Sequence, residues 1–371
     1  MKRLLLLAGE ESGAIYARRI AARAKDLFPG VEVRGYGDYG FTTADLAVFG
    51  FWEVLKRIFF FLRVRRTMER AIDEWRPDAV CTVDYPGMNL RLAAYAKSKG
   101  IRAVHVVCPQ VWAWHRGRIP KIEASLDALC CFFPFEPSFF RAGFAHFVGH
   151  PLAEEFAAGD ARRGERAGDP RLVALLPGSR LGEIRGILPT LLEAVRGLDC
   201  RCVIPAANAQ ARAAIERTVA RWRGRRADAP PVEIRSGGAR EVLKDAVCAA
   251  VASGTATLEA ALVGCPTVLV YRVGAVMAFI ARRLIKIGHV GLANIVWERC
   301  RGGAAADDPL RGYPMPELLQ EDMTVGNVRR ALKWFIADGE VRRLAESRLA
   351  ETTALLRSDG DSITKIVGFL V

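Results

Sequence analysis

The stretch Asp78–Asn89, DAVCTVDYPGMN, decides the fold prediction. Its apolar run Ala79–Val83 ends in Asp84, after which Tyr-Pro-Gly interrupts the strand pattern. Short apolar runs bounded by Pro and Gly are typical of buried parallel strands. Asp84 would therefore lie at the carboxyl end of a strand, where open α/β sheets place their ligands. The alternative is that Asp84 only caps the helix that follows.

Strand-like runs alternate with helical patterns along the rest of the chain. In the first half the predicted strands are Leu4–Ala8, Val31–Tyr36, Ala103–Val107, Ala128–Phe132 and Phe147–Gly149, with helices at Ile15–Leu27 and Leu90–Lys99. In the second half the strands are Val173–Leu176, Cys202–Pro205, Val232–Ile234, Cys248–Val251 and Thr267–Tyr271, with helical patterns at Leu181–Val195 and Asn327–Ala350. This alternation predicts βαβ units and parallel sheets.

The pattern restarts after Ala157–Pro170, a charged and Gly-containing segment that is typical of a linker. The predicted fold class is therefore α/β, with two Rossmann-like domains facing across a cleft. We expect the domains at 1–160 and 171–345. A helical tail at 346–371 would then cross back to the first domain or onto a second subunit, so that a homodimer is compatible with the sequence.

The composition limits the classes of partner. A chain of 371 residues with 51% hydrophobic content can bury two domain cores. Its net charge of +13 suits an anion such as phosphate, nucleic acid or an acidic membrane face. Because the sequence has no RNA-binding signature, zinc-finger spacing or recognition-helix pattern, no nucleic-acid partner is expected.

The nine cysteines are scattered without a CxxC pair, so neither a metal site nor a disulfide framework is expected, and reduced thiols indicate a cytoplasmic protein. The start MKRLLLLAGEESG has an apolar run too short for a signal peptide and is predicted to be the first strand. Two amphipathic basic stretches, Phe49–Arg70 and Ala275–Ile287, are either helices with a solvated basic face or an interfacial surface for lipid. The aromatic residues Phe51 and Phe59–Phe61 favour the membrane alternative.

Two strand–turn–helix stretches in the second half are candidate anion sites. In Leu175–Ile184, LLPGSRLGEI, backbone N–H groups at the helix start favour phosphate, and Arg180 adds a charge-assisted donor. In Val251–Leu262, VASGTATLEAAL, Gly254 permits close approach, while the neighbouring hydroxyls and amides would bind an anion. Glu259 could accept two ribose hydroxyls. The alternative for this second stretch is an ordinary capped helix.

Neither of these two loops carries one of the common nucleotide or hydrolase motifs. No GxGxxG follows the first strand, and no P-loop, GxSxG elbow or HExxH occurs. The loop Val111–Ile122, VWAWHRGRIPKI, either lines a groove or packs its two Trp residues beneath itself. His150 in VGHP is either functional or a structural histidine.

Together these motifs resemble the lipid-A-disaccharide synthase family. The matching segments, in the family's order, are GEESG (9–13), LAVFGFWEVL (46–55), VDYPGMNLRLA (83–93), PQVWAWHRGRIPKI (109–122), FFPFEPSFF (132–140), FVGHPLA (147–153), LLPGSR (175–180), ASGTATLEAAL (252–262) and PELLQED (316–322). The resemblance implies a metal-independent GT-B glycosyltransferase at the inner face of the cytoplasmic membrane. It would move 2,3-diacylglucosamine from UDP-2,3-diacylglucosamine to the 6-hydroxyl of 2,3-diacylglucosamine 1-phosphate.

The resemblance also implies residue roles. Asp84 matches the family's catalytic Asp and would be the general base for the acceptor hydroxyl. The predicted substrate-binding residues are Gly9, Glu10, Ser12 and Gly13 near the sugar and phosphate, Arg180, Ser253, Gly254, Thr255, Ala256 and Thr257 near UDP, Glu259 at the ribose, and Asn294 and Gln320 on the nucleotide side. Glycine in the first loop would allow close contact, and charge on UDP would be stabilised by amides and Arg180. No cofactor is expected.

The sequence also departs from the family pattern. Glu11 and Ala14 replace usual residues of the first loop, Gly87 replaces an acid three residues after Asp84, and His115 and Ala293 replace an Arg and a Pro. The segment Cys300–Tyr313 resembles an insertion. Two alternatives stay open: another UDP-GlcNAc-type GT-B enzyme, such as a 2-epimerase or a different lipid glycosyltransferase, or a non-catalytic nucleotide-sugar or lipid-binding homologue.

Overall fold

Two parallel α/β sheets organise the chain. The computed structural model describes residues 1–46, 57–159, 169–224, 229–274, 288–302 and 307–371. They form two units, Met1–Glu154 together with Leu356–Val371, and Glu155–Leu355. The predicted basic stretch Ala275–Ile287 and residues 49–56 of the other basic stretch lie outside the described residues, as does most of the predicted linker.

The sheet of the first unit has six parallel strands in the order β2-β1-β3-β4-β5-β6. The strands are β1 (Arg3–Ala8), β2 (Glu32–Arg34), β3 (Ala79–Val83), β4 (Arg102–Val106), β5 (Ala128–Cys131) and β6 (Ala145–Phe147). Both faces of a parallel sheet are covered by helices, so its strands are continuous apolar runs, and the sequence located these runs correctly. The prediction for β6 was two residues too late, since Gly149 has φ of 92°, outside the range of a strand.

Helices cover both faces of this sheet. The helices of this half of the chain are α1 (Glu11–Leu27), α2 (Thr43–Leu46), α3 (Ile58–Trp75), α4 (Pro86–Ser98), α5 (Ile119–Ser125) and α6 (Pro151–Gly159), and the boundary between the two units falls inside α6, after Glu154. In α3 the buried residues Val64, Met68, Ala71, Ile72 and Trp75 recur at helical spacing and pack into the core beside β1 and β3. The aromatic and basic stretch is therefore helical from Ile58 onward, with one face buried.

The sheet of the second unit also has six parallel strands, in the order β12-β11-β10-β7-β8-β9. The strands are β7 (Asp169–Leu176), β8 (Arg201–Ala206), β9 (Val232–Ser236), β10 (Ala246–Ala252), β11 (Thr267–Tyr271) and β12 (Glu317–Leu319). The helices are α7 (Leu181–Val195), α8 (Ala209–Arg223), α9 (Ala239–Asp245), α10 (Thr255–Val263), α11 (Leu292–Trp297), α12 (Val325–Ala337) and α13 (Gly339–Leu355). The sequence did not predict β12, because three residues at a sheet edge leave no apolar run.

The carboxyl-terminal helical pattern is divided into two helices. The break is at Asp338, whose Oδ1 accepts hydrogen bonds from the amides of Glu340 and Val341. Helix α13 then runs to Leu355, so the expected boundary at 345/346 falls inside it. The last residues, with α14 (Ser362–Gly368), pack in the first unit. Among the described residues, no helix combines the length and apolar composition needed to cross a bilayer.

Each sheet contains one point where the strand order reverses. In the first unit it lies between β1 and β3, where Ala8 pairs with Val83. In the second unit it lies between β7 and β10, where Leu176 pairs with Val251. Ligands of open α/β sheets bind beyond the carboxyl ends of the strands at such points. The predicted site loops follow these four strands.

Candidate active site

Asp84 follows β3 in an unusual backbone conformation. Asp84 and Tyr85 have φ of 51° and 52°, which non-glycine residues rarely adopt. The Asp84 amide donates to the carbonyl of Val106 at 2.9 Å, and Asp84 Oδ1 accepts from the Tyr85 amide at 2.8 Å. Because the capping position of α4 is Tyr85 and has no side-chain cap, Asp84 is not the helix cap that the alternative required. Strained residues of this kind cluster at functional sites.

Asn89 holds this conformation in place. Its Nδ2 donates to the carbonyls of Leu7, Val83 and Asp84 at 3.2, 3.1 and 2.8 Å, and its Oδ1 accepts from the Tyr36 hydroxyl at 2.8 Å. The amide is fully buried. It therefore fastens the ends of β1 and β3 to the backbone of Asp84. The sequence analysis missed this role, although a polar residue on the buried face of a helix was a usable signal.

The GEESG loop after β1 lies against the Asp84 turn. A Cβ on Gly9 would come within 2.4 Å of Cδ1 of Tyr85, and one on Gly13 within 3.2 Å of the Val83 carbonyl oxygen. Close contact at Gly9 is therefore made by the Tyr85 ring, a partner that the sequence did not predict. Ser12 is exposed on the first turn of α1, and Glu10 is the residue before that helix.

Two carboxyl groups with raised pKa values meet at this point. Burial raises the pKa of Asp84, and the hydrogen bond from the Tyr85 amide opposes that shift. Burial, followed by the charge of Asp84, raises the pKa of Glu10. A carboxylate with a raised pKa is a better proton acceptor than an exposed one. The acid that the family pattern has at position 87 is absent here, and Glu10 is the acidic neighbour of Asp84.

The turn after β7 carries its own carboxylate. Gly178 has φ of 98°, and a Cβ there would come within 2.3 Å of Glu183 Oε2. Glu183 accepts from the Arg180 amide at 3.3 Å and from Arg180 Nη1 at 2.9 Å. A carboxylate therefore already occupies the start of α7. This geometry does not support the expectation that phosphate binds at that helix start, although Arg180 lies at the rim of the adjoining cavity.

The turn after β10 has the opposite character. Gly254 precedes α10 with φ of 148° and ψ of −165°, and no side chain caps the helix. The buried Thr257 hydroxyl donates to the Gly254 carbonyl at 2.8 Å, so Thr257 shapes the turn rather than pointing to a ligand. The first amides of a helix have no partner within it. Those of Thr255 and Ala256 are therefore suited to an anion.

Both turns line one cavity of about 310 Å³ inside the second unit. Its described lining residues include Arg180, Ser253, Gly254, Thr255 and Ala256. The volume is at the lower end of the range for small-molecule sites. The structure thus brings together the predicted residues of the two turns, and Thr257 is hydrogen-bonded to the Gly254 carbonyl of the second turn.

Three residues predicted to bind the nucleotide, Glu259, Asn294 and Gln320, are not among the described residues that line this cavity. Burial raises the pKa of Glu259, and the nearby charge of Arg240 lowers it. Asn294 is buried, with its Nδ2 donating to the Met315 carbonyl and to Glu317, and its Oδ1 accepting from the Met315 amide. Its amide is fully used inside the unit.

Gln320 is similarly engaged. With its amide oriented to satisfy both partners, its nitrogen donates to the carbonyl of Val273 and its oxygen accepts from the amide of Val273, each at 3.2 Å. The backbone carbonyl of Gln320 also accepts from Arg272 Nη2. In this structure Gln320 therefore joins the end of the β12 region to the segment after β11.

The VWAWHR loop combines both predicted alternatives. Trp112 is buried and donates from Nε1 to Glu136 Oε1 at 3.1 Å, whereas Trp114 is exposed. Burial raises the pKa of Glu136 to about 8. The side chains of Glu136, Cys108 and Cys131 lie close enough together to hold a metal ion. The Glu136 carboxylate, however, already accepts hydrogen bonds from Trp112 and from the Phe133 amide.

His150 has the environment of a structural histidine. Its Nδ1 accepts from the Leu152 amide at 3.2 Å, and its ring packs against Phe132 and Phe133. Burial lowers its pKa to about 4, so the imidazole is neutral at pH 7. The sequence left this choice open, and the packing favours the structural alternative.

Sequence comparison decides the family. Residues 4–357 match the family model described as lipid-A-disaccharide synthetase. The chain belongs to the lipid-A-disaccharide synthase family. It is 35% identical to a lipid-A-disaccharide synthase of Chromohalobacter salexigens, over 96% of this chain and 93% of that protein. It is 36% identical to one of Anaeromyxobacter sp. (strain K), over 96% and 94%. The resemblance predicted from the motifs is confirmed.

Solved structures with low sequence identity show the fold. MurG of Acinetobacter baumannii superposes with a TM-score of 0.63 at 16% identity, covering 100% of this chain and 99% of that chain. The calicheamicin glycosyltransferase CalG4 gives 0.59 at 14% identity, covering 100% and 98%. The UDP-GlcNAc 2-epimerase of Neisseria meningitidis gives 0.58 at 11% identity, covering 100% and 99%. The predicted GT-B fold is confirmed, and within this shared fold the family match favours the synthase over the 2-epimerase alternative.

Proposed function

We propose that this protein transfers 2,3-diacylglucosamine from UDP-2,3-diacylglucosamine to the 6-hydroxyl of 2,3-diacylglucosamine 1-phosphate, with inversion and release of UDP. Membership of the lipid-A-disaccharide synthase family supports the reaction. The observation that carries the mechanism is the position of Asp84, a partly buried carboxylate with a raised pKa at the strand-order reversal of the first unit.

Asp84 acts as the general base in this proposal. Its carboxylate takes the proton of the 6-hydroxyl while that oxygen forms a bond to the anomeric carbon of the donor. The bond from the anomeric carbon to the UDP oxygen breaks, and its electron pair leaves with UDP. The proton ends on Asp84. Asn89 and the Tyr85 amide hold the carboxylate and its backbone in position.

The second unit binds UDP in this proposal. The uncapped start of α10 offers the amides of Thr255 and Ala256 to the diphosphate, and Arg180 adds a positive charge at the rim of the same cavity. Donors that are already fixed in place stabilise the charge that develops on the leaving group. Glu259 is proposed at the ribose, and Asn294 and Gln320 on the nucleotide side, outside the described lining of this cavity.

We further propose that α3 rests on an anionic membrane surface. Phe59 is 82% exposed, and Ile58 and Leu62 are also exposed. Arg63 and Arg66 line the same shallow surface as Phe59 and Leu62. Exposed aromatic and aliphatic side chains beside arginines are typical of helices that lie in the membrane interface. Such contact would give a peripheral protein access to two acylated substrates.

The reaction is tested with purified full-length protein, UDP-2,3-diacylglucosamine and 2,3-diacylglucosamine 1-phosphate. We expect the lipid product to have the mass of a tetraacyl disaccharide monophosphate, with one UDP released per disaccharide. A parallel reaction with UDP-GlcNAc tests the 2-epimerase alternative and should leave that sugar unchanged. Absence of disaccharide, or epimerisation of UDP-GlcNAc, would overturn the proposal.

A further inference from the structure

A larger cavity is lined by residues of the first unit alone. It has a volume of about 700 Å³ and runs along α4, between α3 and the segment that contains α5. From α4 it is lined by Pro86, Gly87, Leu90, Arg91, Ala94 and Tyr95. These residues follow helical spacing from the first turn to the last, a length of roughly 13 Å at 1.5 Å per residue. The cavity therefore begins two residues after Asp84.

The charged residues of this cavity are all basic. Arg65, Arg91, Arg118 and Lys121 line it, and none of its described lining residues is acidic. Arg65 pairs with Glu69 at 2.7 Å. The side chains of the other three, Arg91, Arg118 and Lys121, have no ion pair or hydrogen bond to any described residue. Three cations without a counter-charge among the described residues attract an anion.

The rest of the lining is apolar or open. Leu90, Ala94 and Ile122 supply an apolar wall. At Gly87, where the family pattern has an acid, an added Cβ would meet nothing within 4 Å. An apolar wall beside a cationic cluster suits a phosphate ester joined to an apolar body better than it suits free inorganic phosphate.

We propose that this cavity binds the phosphate monoester of the glycolipid acceptor, with Arg91, Arg118 and Lys121 as its specificity-determining residues. The inference rests on the proposed function and adds to it the recognition of the 1-phosphate. A phosphate monoester carries close to two negative charges at pH 7, so several cations are needed to bind it. Its binding here holds the acceptor sugar in the unit that contains Asp84.

The test measures steady-state kinetics of Arg91→Gln, Arg118→Gln and Lys121→Gln in detergent micelles, with the acceptor and the donor varied in turn. Each variant should raise the acceptor KM about ten-fold, as expected for loss of a charge-assisted contact. The donor KM and the UDP affinity should stay within two-fold of wild type. Lys25→Gln is the matched control. Lys25 is exposed on α1, so this substitution removes one positive charge at a position away from the cavity.

A second arm uses the acceptor without its 1-phosphate. Wild type should show a raised KM for this acceptor, and the three variants should then equal wild type, because the group that they recognise is gone. An unchanged acceptor KM in the variants, or an equal loss with both acceptors, would overturn the proposal. If wild type forms no disaccharide with either acceptor, the proposed function itself fails.

A third arm separates the acceptor phosphate from membrane headgroups. In sedimentation assays, phosphatidylglycerol vesicles should bind the three variants as strongly as they bind the wild-type protein. If vesicle binding weakens and the donor KM rises together with the acceptor KM, the cavity holds a lipid headgroup and the acceptor assignment is wrong. Unfolding temperatures equal to that of wild type establish that the variants are folded.

Discussion

The strand-order reversals of the two sheets have the same topology but different chemistry. In the first unit the ends of β1 and β3 carry two carboxyl groups, Glu10 and Asp84. In the second unit the end of β10 leads to uncapped helix amides, and the acid beside it, Glu183, is bonded to Arg180. The shared fold thus fixes where a ligand can bind, whereas local residues decide whether the position accepts a proton or binds an anion.

The two positions are also shaped differently. In the first, Asn89 joins three backbone carbonyls from two strands and the following turn, which fixes the backbone of Asp84. In the second, the hydroxyl of Thr257 bonds to the Gly254 carbonyl and leaves the amides of the turn available. A base must be held at one position, whereas an anion site needs several donors free. The predictions below test this division.

The largest effect is expected for Asp84→Asn. Asparagine has nearly the same shape and its oxygen can still accept from the Tyr85 amide, but it cannot take a proton at neutral pH. We expect kcat/KM for disaccharide formation to fall about 10²- to 10⁴-fold. Asp26→Asn, at an exposed position on α1, is the control. A fall of less than about three-fold would remove Asp84 from the role of base.

The pH dependence should show a raised pKa for the base. Asp84 must be ionised to act, and burial raises its pKa. Activity should therefore fall with decreasing pH at a pH above the usual range for aspartate. Because the pKa of Glu10 is raised too, the profile of Glu10→Gln identifies the group. The assignment would be contradicted if the loss of activity at low pH disappears in Glu10→Gln. It would also be contradicted if wild-type activity falls only at the pH where an ordinary aspartate is protonated.

Asn89→Ala should affect both stability and turnover. It removes three hydrogen bonds of Nδ2, two of them buried, and leaves carbonyls without that donor, so the free energy of unfolding should fall by about 2–3 kcal/mol. We expect kcat to fall about ten-fold with UDP affinity unchanged. Tyr36→Phe is the control, because it removes only the hydroxyl bond to Oδ1. A loss of stability without any change in kcat would make Asn89 purely structural.

Gly254→Ala tests the anion turn of the second unit. The φ and ψ of Gly254 lie in a region that is essentially restricted to glycine, although an added Cβ would meet nothing within 4 Å. The change therefore acts through the backbone, and we expect the UDP dissociation constant to rise about ten-fold by calorimetry. Gly182→Ala, also with open space and without positive φ, is the matched control. Equal UDP affinity in both variants would argue against UDP binding at the Gly254 turn.

The smallest effect is expected for Glu183→Gln. If UDP binds at the start of α10, loss of the charge at the start of α7 acts only through its partner Arg180 and should tighten UDP binding by less than about three-fold. If the diphosphate instead needed the start of α7, removal of the carboxylate that occupies it would tighten binding ten-fold or more. The same calorimetric titration distinguishes the two helix starts.

Much of the fold was predictable because buried parallel strands are apolar runs whose ends carry polar residues. The positions of Asp84 and of the two turns of the second unit, directly after strands, were predicted in this way. β12 was missed because three residues at a sheet edge give no such run.

Other features depend on partners that are distant in sequence. The role of Asn89 rests on the Leu7 carbonyl, and the basic cavity joins Arg65, Arg91 and Lys121 from different helices. Asn294 was predicted at the nucleotide, but its amide is bonded to Met315 and Glu317. Local sequence patterns do not predict these contacts.

The affinity of Asp84→Asn for UDP tests the division between the two units most directly. The proposed base lies in the first unit and the proposed UDP cavity in the second. Calorimetry with wild type and this variant, in the preparation used for turnover, should give dissociation constants within two-fold of each other while disaccharide formation is lost. A UDP dissociation constant raised ten-fold or more in the variant would contradict the account.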